Sequence, residues 1–148
     1  MLAIGSDHGG FELKKALMDV LTKQGVEFKD FGTYSPDSCD YPNIAGEVCR
    51  AILSGACDRG VLICGTGIGM SMAANRFSGI RAALCSDCYS AEMTRRHNDA
   101  NVLVLGGRVI GPGLAEKILE IFLNTPFEGG RHARRIGMLD SIASCENT

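Results

Sequence analysis

Short apolar segments alternate with helix-length segments along the whole sequence, and this alternation restricts the fold more than any other feature. Five segments have the length and apolar content of β-strands: residues 2–5, 26–32, 59–64, 80–85 and 101–106. Six segments space their apolar residues as a helix does: residues 11–24, 43–54, 68–77, 88–97, 113–124 and 131–143. Strands and helices in this order predict a three-layer α/β/α sandwich of Rossmann-like type, with a five-stranded parallel sheet between two helical layers.

Two segments carry more specific predictions about where they lie. Polar residues alternate with apolar ones in residues 26–32, which is typical of a strand at the edge of a sheet. In the last helix, residues 131–143, helical spacing predicts an apolar face turned toward the core, formed by Ile136, Leu139, Ile142 and Ala143.

Length and composition restrict the class of protein. A chain of 148 residues with 45% hydrophobic residues favours one folded domain over residues 1–148. Its net charge of −2 gives no general attraction to nucleic acid or to an anionic membrane. The first residues lack the basic start of a signal peptide, and no segment is apolar enough to span a membrane. Seven cysteines without such a signal therefore predict reduced thiols and a cytoplasmic location.

The predicted sheet places two polar segments at its ligand-binding edge. In an open parallel sheet, ligands bind beyond the carboxyl ends of the strands. Asp7 and His8 follow the first strand there, and Cys64–Gly69 (CGTGIG) follows the third. The second segment also opens a helix, so its backbone N–H groups could bind an anion. A glycine turn needed only for tight strand–helix packing is the alternative.

Nucleotide-binding loops fit residues 65–70 poorly. The segment GTGIGM has Met70 where a dinucleotide-binding loop has its third glycine, and it follows the third strand instead of the first. Asp87 does lie about twenty residues further on, as the dinucleotide motif requires, so that interpretation stays open. The lysine and hydroxyl residue that end a P-loop are missing, which excludes that motif.

Cysteines allow three interpretations. Cys64 is either a small buried apolar residue or, at a helix start, a thiolate that acts as a base or nucleophile. Cys85 and Cys88 form a C-x-x-C motif, which also occurs in redox proteins. Zinc binding is disfavoured because the sequence has neither a second C-x-x-C nor two histidines close together.

A basic segment near the end of the chain could hold a phosphate. Arg131 and Arg135 lie one turn apart on the last helix and share a face, which suits a phosphate dianion. A solvated basic helix end is the alternative.

The three histidines, His8, His97 and His132, all have polar neighbours. A thiol, an anion-binding turn, a histidine and a phosphate clamp together favour metal-free proton abstraction next to a carbonyl of a phosphorylated small molecule.

Seven motifs, in this order and spacing, resemble the ribose-5-phosphate isomerase B family, which is related to galactose-6-phosphate isomerase subunits. They extend through nearly the whole chain: GSDHGG (5–10), DFGT (30–33), DYP (40–42), ICGTGIG (63–69), AANR (73–76), RHNDANVL (96–103) and GGRHARR (129–135). The resemblance implies a cytoplasmic enzyme of the pentose phosphate pathway that interconverts D-ribose 5-phosphate and D-ribulose 5-phosphate through a cis-enediolate, without metal or organic cofactor.

The resemblance also implies roles for individual residues. Cys64 would move the proton between C1 and C2, and His97 would open the furanose ring with help from Asp7. Some relatives lack the cysteine and carry a glutamate base at the position of Met70. Methionine cannot act as a base, which favours Cys64 in this chain. Thr66 and the backbone of four residues would stabilise the enediolate: Gly65, Gly67, Ile68 and Gly69. Tyr41 and Asn98 would contact the sugar, and four residues would hold the phosphate: His8, Arg108, Arg131 and Arg135.

The predicted topology separates His97 from Cys64. His97 ends a helix that leads into the fifth strand, so it should lie at the amino edge of the sheet, opposite Cys64. A five-residue strand spans about 17 Å, too far for both residues of one chain to reach the same pentose. We therefore expect a homodimer with shared active sites, with tetramer formation left open. Two alternative functions remain. One is an isomerase of a hexose 6-phosphate such as allose 6-phosphate, and the other is a sugar-phosphate-binding module without catalysis.

Overall fold

Five parallel strands form one sheet in the computed structural model, which describes the backbone of residues 1–145 and the side chains of residues 1–142. The strands are β1 (Leu2–Ser6), β2 (Phe28–Asp30), β3 (Arg59–Cys64), β4 (Ala82–Leu84) and β5 (Val102–Gly106). Their order across the sheet is β2-β1-β3-β5-β4, and every neighbouring pair is parallel. The predicted fold class is confirmed, and β2 lies at an edge as predicted.

Helices follow the strands in the predicted alternation. They are α1 (Phe11–Lys23), α2 (Tyr41–Leu53), α3 (Ile68–Ala74), α4 (Cys88–Asn98), α5 (Pro112–Asn124) and α6 (Arg131–Cys145), with a short 3-10 turn at His8–Gly10. Their limits lie within about three residues of the predicted ones. No helix among the described residues is long and apolar enough to cross a membrane.

Alternation of side chains along the strands produces two apolar cores, one on each face of the sheet. Leu2 and Ile4 point to one face, where they pack with residues of α1, α4 and α5. Ala3 points to the other face, where the core includes residues of α2 and α3. Successive residues of a strand point to opposite faces, so a fully buried strand needs apolar residues at nearly every position. This explains the unbroken apolar segments of β1, β3 and β5.

One prediction about the last helix is wrong for the single chain. Leu139 and Ile142 were expected to face the core, but they are 53% and 64% exposed on α6. Ile136 is half-buried, and the side chain of Ala143 lies outside the described residues. The helix packs mainly against α4, and much of its apolar face remains exposed.

Strand order brings the two polar loops together. From β1 the chain moves outward to β2 and then returns to β3 on the other side of β1, so the loops that follow β1 and β3 leave neighbouring strands at the same edge. Ligands of open α/β sheets bind at such a reversal. The two loops are in contact: a Cβ atom added to Gly9 would lie only 2.8 Å from the backbone nitrogen of Gly65. One candidate site therefore includes both loops.

Candidate active site

Cys64 is the last residue of β3 and is almost fully buried. Its Sγ accepts a hydrogen bond from the backbone N–H of Gly67 at 3.1 Å. Gly67 has a φ of +81°, a conformation that favours glycine and that turns its N–H back toward the sulfur. The turn therefore places a donor where negative charge would lie once the thiol had given up its proton.

Thr66 closes the same turn from the other side. Its Oγ1 accepts a hydrogen bond from the N–H of Ile68 at 3.2 Å, and its own hydroxyl proton is left to donate elsewhere. Two of the N–H groups that the sequence suggested for anion binding, those of Gly67 and Ile68, thus donate within the loop. Gly65 and Gly69 are the other two residues of that predicted set.

The loop after β1 lies beside residues 64–69, called the Cys64 turn below, and is fixed by Asp7. The Asp7 carboxylate accepts hydrogen bonds from the N–H groups of Gly9 and Gly10, at 2.8 and 3.3 Å. The backbone N–H of Asp7 donates to the carbonyl of Ile63, which is joined directly to Cys64. His8 Nδ1 accepts from the N–H of Cys39 at 3.3 Å, and this contact holds the 33–40 loop against the site.

Tyr41 and Arg108 both lie against the Cys64 turn, Tyr41 at Gly69 and Arg108 at Gly65. A Cβ added to Gly69 would lie 2.7 Å from Cζ of Tyr41, so glycine is needed there for the phenol ring to approach. Arg108 donates its backbone N–H to the carbonyl of Gly65 at 2.9 Å. Its guanidinium lies beside the same residue and is exposed. An aromatic ring and a cation thus flank the turn.

His97 and Asn98 lie elsewhere, at the end of α4 that leads into β5. Cys64 is level with Gly106, the last residue of β5, whereas Val102 begins that strand and is level with Gly60. The length of β5 therefore separates the end of α4 from the Cys64 turn. Sequence reasoning placed His97 at this amino edge, and the structure places it there.

A cluster of His97, Glu128 and His132 occupies this second region. The imidazole rings of His97 and His132 are stacked, with centroids 4.2 Å apart and planes 10° from parallel. Glu128 Oε2 lies 3.4 Å from Nε2 of His132 and 4.0 Å from Nε2 of His97. Burial lowers the pKa of His132, and the nearby His97 and Arg131 lower it further, while Glu128 opposes them.

Arg131 and Arg135, the predicted phosphate clamp, lie next to this cluster on α6. Both are exposed, and neither forms an ion pair with an acidic side chain among the described residues. A cavity of ≈ 470 Å³ also opens at this edge, between β4, α4 and α6, with Arg81, Asn98 and Leu139 among its lining residues. The Cys64 turn contributes no residue to its walls.

Cys85 and Cys88 do not form a site suited to redox chemistry. Both are free thiols. Cys85 is buried, and this burial raises its pKa to about 11, with Asp87 adding to the effect. Reactive redox cysteines have lowered pKa values, because the thiolate is the nucleophile. The structure therefore disfavours the redox interpretation of the C-x-x-C motif.

Sequence reasoning missed Glu128 and the pairing of two histidines. No two histidines are close in the sequence, yet His97 and His132 meet because α6 packs on α4. The only local signal was the acidic residue just before the GGRHARR motif. A carboxylate between two histidines becomes visible only once the helices are packed.

Comparisons with known proteins identify the family of the chain. Residues 2–139 match the family model described as Ribose/Galactose Isomerase. The chain belongs to this family. Ribose-5-phosphate isomerase B of Escherichia coli is 47% identical over 99% of this chain and 98% of its own. The D-erythrulose-4-phosphate isomerase of Pectobacterium atrosepticum is 44% identical over 91% of this chain and 90% of its own.

Solved structures of the same family have the same fold. Ribose-5-phosphate isomerase B of Clostridium thermocellum superimposes with a TM-score of 0.96 at 51% identity, covering 98% of each chain. The family membership expected from the seven sequence motifs is thus confirmed, and the chain is a sugar-phosphate isomerase that acts on a small molecule.

Proposed function

We propose that this protein interconverts D-ribose 5-phosphate and D-ribulose 5-phosphate, with Cys64 as the base and with one catalytic domain over residues 1–148. The observation that carries the proposal is the position of Cys64, at the carboxyl end of β3 with the Gly67 N–H directed at its sulfur. Asp7, Tyr41 and Arg108 surround this turn. The named relatives from E. coli and C. thermocellum support the choice of a pentose phosphate.

The reaction needs one base and a group that stabilises an oxyanion. Cys64 removes the proton from C2 of the open-chain aldose, and the C1 oxygen takes the negative charge of the enediolate. The Thr66 hydroxyl and the N–H groups of Gly65 and Gly69 stabilise this oxygen, as preorganised donors do in other enolate-forming sites, while the N–H groups of Gly67 and Ile68 donate within the loop. The O2 hydroxyl proton then passes to O1, and return of the first proton from Cys64 to C1 gives the ketose. Met70 is fully buried and has no titratable group, so it has no part in the proton transfer.

Side chains from two regions hold the phosphate in this proposal. His8 and Arg108 lie beside the Cys64 turn, whereas Arg131 and Arg135 lie on α6 near His97. Guanidinium groups suit a phosphate dianion because they offer paired donors. The chemistry moves only protons, so the proposal includes no metal and no organic cofactor.

A homodimer unites the two regions. His97, which opens the furanose ring in this proposal, lies one strand length away from Cys64 of its own chain. Exposed apolar residues surround the Cys64 turn and extend along α6: Ile68, Met72, Leu84, Val109, Met138, Leu139 and Ile142. Exposed apolar surface of this kind marks interfaces. We place His97, Asn98, Arg131 and Arg135 of one subunit at the Cys64 turn of the other, in a cytoplasmic enzyme.

Proton NMR in deuterium oxide tests the reaction. Purified protein is incubated with ribose 5-phosphate and a chelator, without added metal. Formation of ribulose 5-phosphate, with deuterium at the exchanged carbon, is the expected result. Unchanged ribose 5-phosphate would contradict the proposal, and hexose 6-phosphates would then be tried. A Cys64→Ser variant should bind the sugar phosphate and fail to turn it over; a binding module without catalysis would keep its full function.

Subunit mixing tests the shared site. Cys64→Ala and His97→Ala proteins are each expected to be inactive. Exchange of subunits between them gives heterodimers in which one of the two sites has both residues intact. Recovery of activity is the expected result, and its absence in verified heterodimers would show that each chain builds its own site.

A four-carbon substrate is the second candidate. The relative from P. atrosepticum acts on D-erythrulose 4-phosphate, as its name states, and it is nearly as similar as the pentose enzymes. Ratios of kcat/KM for ribose 5-phosphate, erythrose 4-phosphate and allose 6-phosphate decide between the candidates. The highest value for ribose 5-phosphate is expected.

A further inference from the structure

Glu128 has no role in the reaction proposed above, yet it is held in place on several sides. Its backbone N–H donates to the carbonyl of Arg96 at 3.1 Å, which fixes the residue to the last turn of α4. Its Oε1 lies 3.4 Å from Nη1 of Arg96. Its Oε2 lies 3.4 Å from Nε2 of His132 and 4.0 Å from Nε2 of His97. The carboxylate is therefore directed at both imidazole rings.

The stacked pair of histidines leaves one edge of His97 available. The side chain of His132 is only 8% exposed, so it forms a buried platform under the His97 ring, which is 40% exposed. With one face of His97 covered and its Nε2 lying 4.0 Å from the Glu128 carboxylate, Nδ1 is the nitrogen that remains for a substrate. Imidazole has two distinct nitrogens, and a partner on one decides which carries the proton.

The three side chains are a poor metal site, although their ligand atoms all lie within 4.8 Å of one another. In stacked, nearly parallel rings the nitrogen lone pairs point side by side and do not converge, so a metal ion in the plane of one ring lies well outside the plane of the other. The surroundings are also cationic, with Arg96, Arg131 and Arg135 nearby. The geometry favours proton handling over metal binding.

We propose that Glu128 is a positioning residue for the opening of the sugar ring. Its carboxylate, 4.0 Å from Nε2 of His97, favours the tautomer with the proton on that nitrogen, which leaves the Nδ1 lone pair for the furanose. The inference rests on the proposed function, in which His97 opens the ring. A carboxylate that fixes the tautomer of a histidine and stabilises its cation has the same role in serine hydrolases.

Ring opening then proceeds with one proton. Nδ1 takes the proton of the C1 hydroxyl, the C1–O4 bond breaks as the C1 carbonyl forms, and the imidazolium gives the same proton to O4. Glu128 stabilises the transient imidazolium. The product is the open-chain aldose on which Cys64 acts.

The ketose provides a reaction that needs no ring opening. Ribulose 5-phosphate could close a five-membered ring only through O5, and O5 carries the phosphate, so this sugar stays open. Exchange of its C1 hydrogen with solvent requires the base and the oxyanion-stabilising groups alone. A variant impaired only in ring opening therefore keeps this exchange and loses turnover of ribose 5-phosphate.

The experiment compares Glu128→Gln, His97→Ala and Glu92→Gln with the unaltered protein. Glu92→Gln is the matched control, because Glu92 Oε1 binds Nε of the same Arg96 at 2.8 Å and is not part of the histidine cluster. Two rates are measured: kcat/KM for ribose 5-phosphate, and deuterium incorporation at C1 of ribulose 5-phosphate. Glu128→Gln should lower the first about tenfold to a hundredfold, at or below the lower end of the effect of a directly acting acid–base group, because it acts only through His97, and leave the second nearly unchanged.

Each other outcome has a definite meaning. Equal loss of both rates in Glu128→Gln would overturn the inference, since a residue that only supports the fold would have that effect. Retention of both rates, or an equal loss in Glu92→Gln, would overturn it as well. If His97→Ala does not separate the two rates, His97 does not open the ring and the inference is wrong with it. Absence of ribose 5-phosphate turnover in the unaltered protein is a different result, because it rejects the proposed function itself.

Discussion

The backbone N–H of Gly67 donates to Sγ of Cys64, and the positive φ of Gly67 makes this contact possible. Any other residue at this position would meet two obstacles. The left-handed conformation is unfavourable for a residue with a Cβ atom. The added atom would also overlap Cδ1 of Leu84 and lie 3.0 Å from the carbonyl carbon of Leu105.

Gly67→Ala should therefore destabilise the protein and disturb the Cys64 turn. The conformational cost and the overlap together predict a loss of about 2–4 kcal/mol in the free energy of unfolding, measured by urea denaturation. Gly65→Ala is the control for stability, because a Cβ there would first meet the flexible Arg108 side chain at 3.5 Å. Equal destabilisation by the two substitutions would contradict the prediction.

Lys14 and Asp30 form an ion pair, fully buried on the lysine side and partly exposed on the aspartate side, that supports the loop leading to Tyr41. Lys14 is 1% exposed, and its Nζ lies 2.7 Å from Oδ1 of Asp30 while donating also to the carbonyl of Thr33. Asp30→Asn would leave the ammonium buried without its counter-ion, which costs about 3–5 kcal/mol. Denaturation in urea should show this loss.

A double substitution separates lost pairing from lost packing. Lys14→Met removes the charge and retains much of the apolar chain, so Lys14→Met combined with Asp30→Asn should be more stable than Asp30→Asn alone. Replacement of a whole buried ion pair by apolar groups is often nearly neutral. The Lys14→Met and Asp30→Asn single variants are measured as well. If their losses of stability simply add in the double variant, Asp30→Asn leaves no uncompensated buried charge, and the ion-pair explanation is wrong.

The sequence predicted the central strands better than the edges, for a physical reason. β3 matches its prediction residue for residue, and β1 and β5 match within one residue, because strands buried on both faces must be apolar throughout. β2 and β4 are three residues long, against predicted lengths of seven and six. An edge strand forms hydrogen bonds with one neighbouring strand only. The number of its residues that pair depends on that neighbour as well as on the composition of the edge strand.

The candidate site divides in the same way. Asp7 and the Cys64 turn were predictable because carboxyl ends of parallel strands meet at one edge. Periodicity also showed that α6 has an apolar face. It could not show what covers Leu139 and Ile142. The spacing of apolar residues describes one helix and carries no information about the surface against which that helix packs. The stack of His97 on His132 depends on the packing of α4 and α6, which no local pattern specifies.

Cys85 should be inert toward thiol reagents in the folded protein. Burial raises its pKa to about 11, so at pH 8 the thiolate that reacts is scarce. Alkylation with iodoacetamide, followed by mass spectrometry, should label the half-buried Cys39 and Cys88 before Cys85. Cys49 is an internal control, since burial raises its pKa to about 11 also. Rapid formation of a Cys85–Cys88 disulfide under mild oxidant would contradict this prediction.

His132 should make the protein less stable in mild acid. Burial, together with His97 and Arg131, holds its pKa below the ordinary value of 6.5. As the pH falls below 6.5, the unfolded chain binds a proton that the folded chain does not, so the free energy of unfolding decreases through this window. His132 contributes no such dependence well above pH 6.5, where it is neutral in both states.

The His132→Gln variant isolates this contribution. Its free energy of unfolding should fall less between pH 7 and pH 5.5 than that of the unaltered protein, while both should respond alike between pH 7 and pH 8.5. Urea denaturation across this pH range measures the two slopes. Identical slopes below pH 6.5 would mean that His132 takes up its proton equally well in the folded and the unfolded chain. The Glu128 carboxylate would then fully offset the burial of the ring and its cationic neighbours.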